Sequence, residues 1–121
     1  MTTIALIAHD GKKEEMTAFA ASQKEGLAAC RLIGTGTTAR IVSEATGLWV
    51  EGFLSGPLGG DVQIAAEVLA GRVAVVLFFV EPRDVHPHDP DILTLQRICN
   101  LTDTPLATNP ASALLLLRGL W

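Results

Sequence analysis

Eight consecutive apolar residues, Val73, Ala74, Val75, Val76, Leu77, Phe78, Phe79 and Val80, constrain the fold more than any other feature of the chain. The run is too short to span a bilayer. It does not alternate with polar residues, so it is not a strand with one face in water. Turn residues flank it, Gly71 before and Pro82 after. It therefore reads as a central strand covered on both faces. Such strands belong to parallel sheets with helices on either side.

The rest of the chain repeats that alternation. Residues 3–8 read as a buried strand. After His9, Asp10 and Gly11, a segment from 12 to about 23 carries Met16, Phe19 and Ala20 at helical spacing. Residues 31–33 form a weaker strand, and a Gly-Thr segment leads into a short helix ending near Thr46 and Gly47. Residues 49–54 read as a third strand, followed by a glycine-rich stretch. Asp61 caps or opens a helix through Ala70, with Gly71 at C′. Beyond the central strand lies a polar stretch, 81–88. Asp89 and Pro90 then mark N-cap and N1 of a helix reaching about Asn100. Residues 105–107 are a short fifth strand and 111–117 a last helix. The expected fold is α/β: one domain over 1–121, three layers α/β/α, with a five-stranded parallel sheet and right-handed crossovers.

Charge limits the partners. Nine basic and 13 acidic residues give −4, which argues against nucleic acid, whose backbone needs clustered Lys and Arg. A single phosphate is another matter, because backbone N–H groups at a helix start hold one without excess basic side chains. No basic region followed by a long apolar run opens the chain, so neither a signal peptide nor a membrane span is expected. Cys30 and Cys99 are far apart without metal-ligand spacing. They read as buried, reduced thiols of a cytoplasmic protein.

In open parallel sheets, ligands bind beyond the carboxyl ends of the strands. Nearly all reactive residue types here fall in the loops after strands. Gly34, Thr35, Gly36, Thr37 and Thr38 lie between strand and helix, a ready anion site with three hydroxyls. The same segment fits a weak dinucleotide pattern through Gly34, Gly36 and Ala39, but it follows the second strand, not the first, and the chain is short for two nucleotide-binding halves. Ser55, Gly56, Pro57, Leu58, Gly59 and Gly60 allow close backbone approach to a ligand. Asp61 closes that loop as either a helix cap or a carboxylate base. The loop after the central strand holds Glu81, Arg83, Asp84, His86, His88, Asp89 and Asp91. One His held by a carboxylate suits a proton donor better than a metal site here. His9 and Asp10 follow the first strand, with Lys12 and Lys13 at a helix start. Basic residues there oppose the helix dipole, a hint that one has another job.

The ordered segments Ala8-His9-Asp10 with Lys13, Thr35-Gly36-Thr37-Thr38, Ala45-Thr46-Gly47, Leu54 through Asp61, Phe78-Phe79, Pro87-His88-Asp89-Pro90-Asp91 and Ala107-Thr108-Asn109 resemble the methylglyoxal synthase family over nearly the whole chain. The resemblance implies a methylglyoxal synthase-like fold of the flavodoxin-like class. It implies a lyase that converts dihydroxyacetone phosphate to methylglyoxal and inorganic phosphate, a glycolytic bypass, with no metal and no organic cofactor. It implies Asp61 as base and His88 as the group assisting at the substrate oxygens, with Glu81 and Asp91 in the same catalytic set. His9, Asp10, Lys13, Thr35, Gly36, Thr37, Thr38, Ser55 and Gly56 match positions that hold substrate and phosphate. It also implies a homohexamer under allosteric inhibition by phosphate.

Two departures follow. Glu81 stands where the family usually has Asp, and one methylene moves a carboxylate by about 1.5 Å, a displacement that costs about a hundredfold inside an active site. The chain ends at Trp121, sooner than typical members, so the apolar residues 114–117 and Trp121 are expected exposed or between subunits. The alternative function is a non-catalytic, phosphometabolite-sensing regulatory module of the same fold. Such a sensor needs the anion loops but not Asp61, His88 and His9 together.

Overall fold

Thr3 to Ala8 bury all six side chains, as a strand covered on both faces must. This is β1, at the centre of the sheet. The computed structural model describes residues 1–55, 58–83 and 92–121. In chain order the elements are β1 (Thr3–Ala8), α1 (Lys13–Ser22), α2 (Lys24–Leu27), β2 (Arg31–Gly34), α3 (Gly36–Thr46), β3 (Val50–Gly52), α4 (Gly60–Leu69), β4 (Val75–Phe79), α5 (Ile92–Leu101), β5 (Leu106–Ala107) and α6 (Pro110–Leu120), with a 3-10 turn at Asp10–Lys12 before α1.

The five strands pair in the order β3-β2-β1-β4-β5, all parallel. Ile4 faces Val75 and Ala8 faces Phe79 in register, so the expected central run pairs directly with β1. Strand periodicity then divides the core in two. Ile4, Leu6, Leu32, Val75, Leu77 and Phe79 point to one face, against Met16 and Phe19 of α1, Val42 of α3 and Leu117 of α6. Ala5, Ile7, Ile33, Val76 and Phe78 point to the other, against Ile64 and Val68 of α4 and Leu95 of α5. These are the three layers expected from the alternation.

Local differences have physical causes. The first helical segment breaks at Gln23 and resumes as α2, because four residues are enough for one turn when Leu27 is buried. α3 begins at Gly36 with Thr35 as N-cap, so Gly36, Thr37 and Thr38 are its first turn and Gly34 still belongs to β2. α4 begins at Gly60 after Gly59 at φ +99°, so Asp61 lies inside the first turn and is not the cap. α6 starts at Pro110 with Asn109 as N-cap, its side chain accepting from Ser112 N–H at 2.9 Å. The start of α5 expected at Asp89 and Pro90 lies outside the described residues.

The apolar stretch 114–117 is mostly core. Leu117 is fully buried, Leu114 and Leu116 pack against it, and Leu115 faces solvent. Trp121 is half exposed, its ring over Gly26. Cys99 is buried and Cys30 only half-buried, packed on opposite faces of the sheet, and both are free. Burial raises both thiol pKa values, which suppresses the reactive thiolate. No described helix is long and apolar enough to cross a membrane.

Candidate active site

All five strands are parallel, so their carboxyl ends share one edge. In the order β3-β2-β1-β4-β5 the chain reverses its direction of travel between β1 and β4, and a crevice forms where such loops part. The edge therefore carries, in spatial order, Ser55, the Thr35 segment, His9, Glu81, and Thr108 with Asn109.

The β3 and β2 ends are packed into each other. Phe53 N–H donates to Gly34 O at 2.8 Å and Gly36 N–H to Leu54 O at 3.1 Å. Leu58 and Gly60 N–H donate to Ser55 O at 2.9 and 3.0 Å. Leu54 N–H donates to Gln63 Oε1 at 2.7 Å. The first turns of α3 and α4 thus meet on the same two residues, Leu54 and Ser55. Only glycine permits this. A Cβ on Gly36 would lie 2.6 Å from Phe53 O, and one on Gly60 would lie 2.7 Å from the Leu54 carbonyl carbon. Each helix start presents partial positive charge. Two of them side by side make a cradle suited in charge to an anion.

Within the cradle the threonines divide. Thr35 and Thr38 are buried, the Thr35 hydroxyl donating to Thr38 Oγ1 at 3.3 Å. Gly36 and Thr37 are half-buried at the rim. Gly36 N–H is taken by Leu54 O and Ala39 N–H by Thr35 O. By helix geometry the N–H groups of Thr37 and Thr38 are the first-turn donors that face outward.

Across β1 the chemistry changes. His9 is buried, its N–H donating to Phe79 O at 3.1 Å, and its ring meets Phe78 edge-on at 5.3 Å. Its Nδ1 accepts from Glu81 N–H at 3.0 Å. The neutral imidazole therefore carries its proton on Nε2. Lys13 Nζ donates to Ala8 O at 2.8 Å and to Asp10 Oδ1 at 2.9 Å, which ties its charge to the end of β1 while Asp10 stays in solvent. Lys12 Nζ stands 3.6 Å from Glu81 Oε2.

The Glu81 carboxylate is buried among cations. It accepts from Arg83 Nε at 2.9 Å, from Arg83 N–H at 3.1 Å and from Arg83 Nη2 at 3.4 Å. Side-chain hydrogen bonds from Arg83, then its main-chain N–H, hold the Glu81 pKa down at about 2, against some opposition from burial.

Asp61 sits half-buried in the first turn of α4, at one end of an apolar groove of about 220 Å³ between α4 and α5. Acidic side chains are favoured in that turn by the dipole. His88 and Asp91, with Gly56, lie outside the described residues, as do His86 and Asp84. The structure thus brings His9, Asp10, Lys13, Thr35, Gly36, Thr37, Thr38, Ser55, Asp61 and Glu81 to one edge. It adds Gln63 and Lys12, and pairs Arg83, already read in the loop after the central strand, with Glu81. Lys12 had a signal, its unfavourable charge at a helix start. Gln63 had none.

The fold and this edge define a class: an α/β protein whose polar loops gather where the order of a parallel sheet reverses. Residues 15–108 match the MGS-like domain family. The chain is 55% identical over 117 residues to the methylglyoxal synthase of Burkholderia cenocepacia strain HI2424, covering 97% of this chain and 90% of that protein. It is 52% identical over 120 residues to that of Carboxydothermus hydrogenoformans, covering 99% of each. The crystal structure of methylglyoxal synthase from Elizabethkingia anophelis NUHP1 matches with a TM-score of 0.93 at 37% identity, over 96% of this chain and 76% of that one. The chain belongs to the methylglyoxal synthase family.

Proposed function

We propose that this chain is a methylglyoxal synthase, a lyase that converts dihydroxyacetone phosphate to methylglyoxal and inorganic phosphate. The observation that carries the reading is the meeting of the α3 and α4 first turns on Leu54 and Ser55, with Asp61 one residue into α4. That arrangement supports reading Asp61 as a carboxylate beside a cradle for a phosphate.

The chemistry needs both. A base removes a proton α to the carbonyl, and donors stabilise the enediolate oxygen. Its electrons then expel phosphate as the carbon–oxygen bond breaks, and the enol left behind takes up a proton at the carbon that carried phosphate, and loses the one on its oxygen, to become methylglyoxal. The carbon–oxygen bond that breaks must stand out of the enediolate plane, so the phosphate grip sets the reacting angle. In this reading Asp61 is the base. Thr35, Gly36, Thr37, Thr38, Ser55 and Gly56 hold phosphate, with Lys13 and Asp10 supporting that edge. His9, with its Nε2 proton, and His88 act at the substrate oxygens. Glu81 and Asp91 belong to the same set. A homohexamer, inhibition by product phosphate and a cytoplasmic setting complete the proposal, and a native mass measurement with and without phosphate tests the assembly.

The test is purified protein with dihydroxyacetone phosphate, following methylglyoxal and phosphate together. Equimolar release is expected. Asp61→Asn is expected to bind phosphate as the parent does and to turn over about 10²–10⁴-fold more slowly. Binding without turnover in the parent would instead identify a phosphometabolite sensor.

A further inference from the structure

We propose that Gln63 is a positioning residue: through Leu54 its side chain fixes the spacing of the α3 and α4 first turns, and with it the hold on phosphate. The proposal deepens, and rests on, the methylglyoxal synthase reading of this edge.

Leu54 is joined to both helices by its two backbone groups. Its carbonyl accepts from the N–H of Gly36, the first residue of α3, at 3.1 Å. Its N–H donates to Oε1 of Gln63, the fourth residue of α4, at 2.7 Å. A single residue thus carries a tie from one helix start to the other. β3 is the outermost strand of the sheet, so no neighbouring strand lies on its open side. A side chain of the next helix supplies the acceptor for Leu54 instead. The other contact of α4 with this segment, Gly60 N–H to Ser55 O at 3.0 Å, does not include Gly36. The fit at Gly36 is close, since a Cβ there would stand 3.3 Å from Ser55 N and 3.5 Å from the Leu54 carbonyl carbon. Movement of Leu54 therefore carries to the first turn of α3.

The tie is not a large stabilising contact. Gln63 is exposed and Leu54 half exposed, so water can take the Leu54 N–H once Oε1 is gone. Water satisfies the donor but transmits no position. The loss should show in the site more than in folding, because the phosphate grip sets the angle of the bond that breaks. Only the acceptor of Gln63 enters this account. Its amide donors do not.

The test uses Gln63→Met and Gln63→Glu in the full chain, at about 0.3 M salt to screen the charge that Glu adds. Glu keeps the acceptor and loses the amide donors, whereas Met loses both. Hydrogen exchange of the Leu54 and Gly36 amides reads the tie. Calorimetry with inorganic phosphate reads the hold, and kinetics with dihydroxyacetone phosphate read kcat. In Gln63→Met both amides are expected to exchange about tenfold faster. Phosphate should bind about fivefold more weakly and kcat fall about tenfold, less than the roughly hundredfold of a misplacement of about 1 Å. Tm is expected to fall by no more than about 5 °C. Gln63→Glu is expected to restore exchange, binding and kcat to within about twofold of the parent. Unchanged Gly36 exchange in Gln63→Met overturns the proposal. So does a Gln63→Glu protein that binds phosphate as weakly as Gln63→Met, since the amide donors would then touch the ligand themselves. If the parent does not turn over the substrate, the functional reading fails, and exchange and phosphate binding still decide whether Gln63 sets the cradle.

Discussion

Gly60 is the position where one methyl group tests the cradle most directly. A Cβ there would run into Leu54 O first, and would stand 2.7 Å from the Leu54 carbonyl carbon and 3.1 Å from Ser55 O. Both are backbone atoms, so no side-chain rotation relieves the contact. Reaching an ordinary carbon–carbon separation of about 3.5 Å requires an opening of at least about 0.8 Å. That opening pulls on Gly36 N–H to Leu54 O, Gly60 N–H to Ser55 O and Leu54 N–H to Gln63 Oε1. Overpacking costs about 1–3 kcal/mol, and each weakened hydrogen bond about 0.5–1.5 kcal/mol. The helical preference of Ala over Gly returns at most about 1 kcal/mol. The clash wins, for a net loss of at least about 2 kcal/mol and a fall in Tm of at least about 8 °C. The rate should fall more, by about 100-fold, because the same opening separates the two helix starts. Gly36→Ala, whose Cβ would be 2.6 Å from Phe53 O, is expected to behave alike. Gly119→Ala, with nothing within 4 Å of its Cβ, is expected to keep full rate and gain slightly in Tm. Thermal melts and a carbonyl-trapping assay for methylglyoxal measure both quantities. A Gly60→Ala protein that loses stability but keeps its rate refutes the cradle. One that keeps both refutes the packing argument.

Other expectations concern the frame. Asn109→Ala removes the cap on Ser112 N–H and is expected to lower stability by about 1 kcal/mol in a urea titration. Leu117→Ala, at a fully buried site, is expected to lose about 2–5 kcal/mol in the same experiment. The Glu81 carboxyl falls from an ordinary 4.5 to about 2 on folding. Its contribution is complete above about pH 4.5 and vanishes as pH drops through about 2, so the Tm difference between the parent and Glu81→Gln should narrow across that range. A difference that stays constant down to pH 2 would contradict the assigned ion pairing.

The fold was legible because its strongest signals are local. β1 and β4 declare themselves by unbroken apolar runs, and five β-α alternations leave little choice of architecture. Boundaries failed where tertiary contact overrides local preference. Gly36, Thr37 and Thr38 look like a loop, yet they are the first turn of a helix because Leu54 O receives the Gly36 N–H. Gly60 looks like the end of a flexible stretch, yet it is helical because Ser55 O receives its N–H. The Asn109-Pro110 pair is a start signal for α6 that the reading of 111–117 passed over. The pairing of His9 with Glu81 was not readable at all. The two are 72 positions apart, and only the placement of β4 beside β1 brings them together.

That placement also bears on which carboxylate is the base. A carboxylate must be able to take a proton and must not be committed elsewhere. Glu81 fails both conditions. Its pKa of about 2 makes it a weak base near neutrality, and its oxygens are already occupied by Arg83 and faced by Lys12. What it gives His9 is a main-chain N–H. Asp61 follows β3, on the other side of β1 in the sheet order, in the first turn of α4. Glu81→Gln keeps an acceptor for Arg83 and leaves the N–H to His9 in place, so turnover is expected to fall by no more than about tenfold. Asp61→Asn removes the proton acceptor itself and is expected to cost about 10²–10⁴. Single-turnover rates for the two variants, measured beside the parent at one pH, separate the roles. If Glu81→Gln is the more damaged protein, the proton passes through Glu81, and its pairing with Arg83 must open during the reaction.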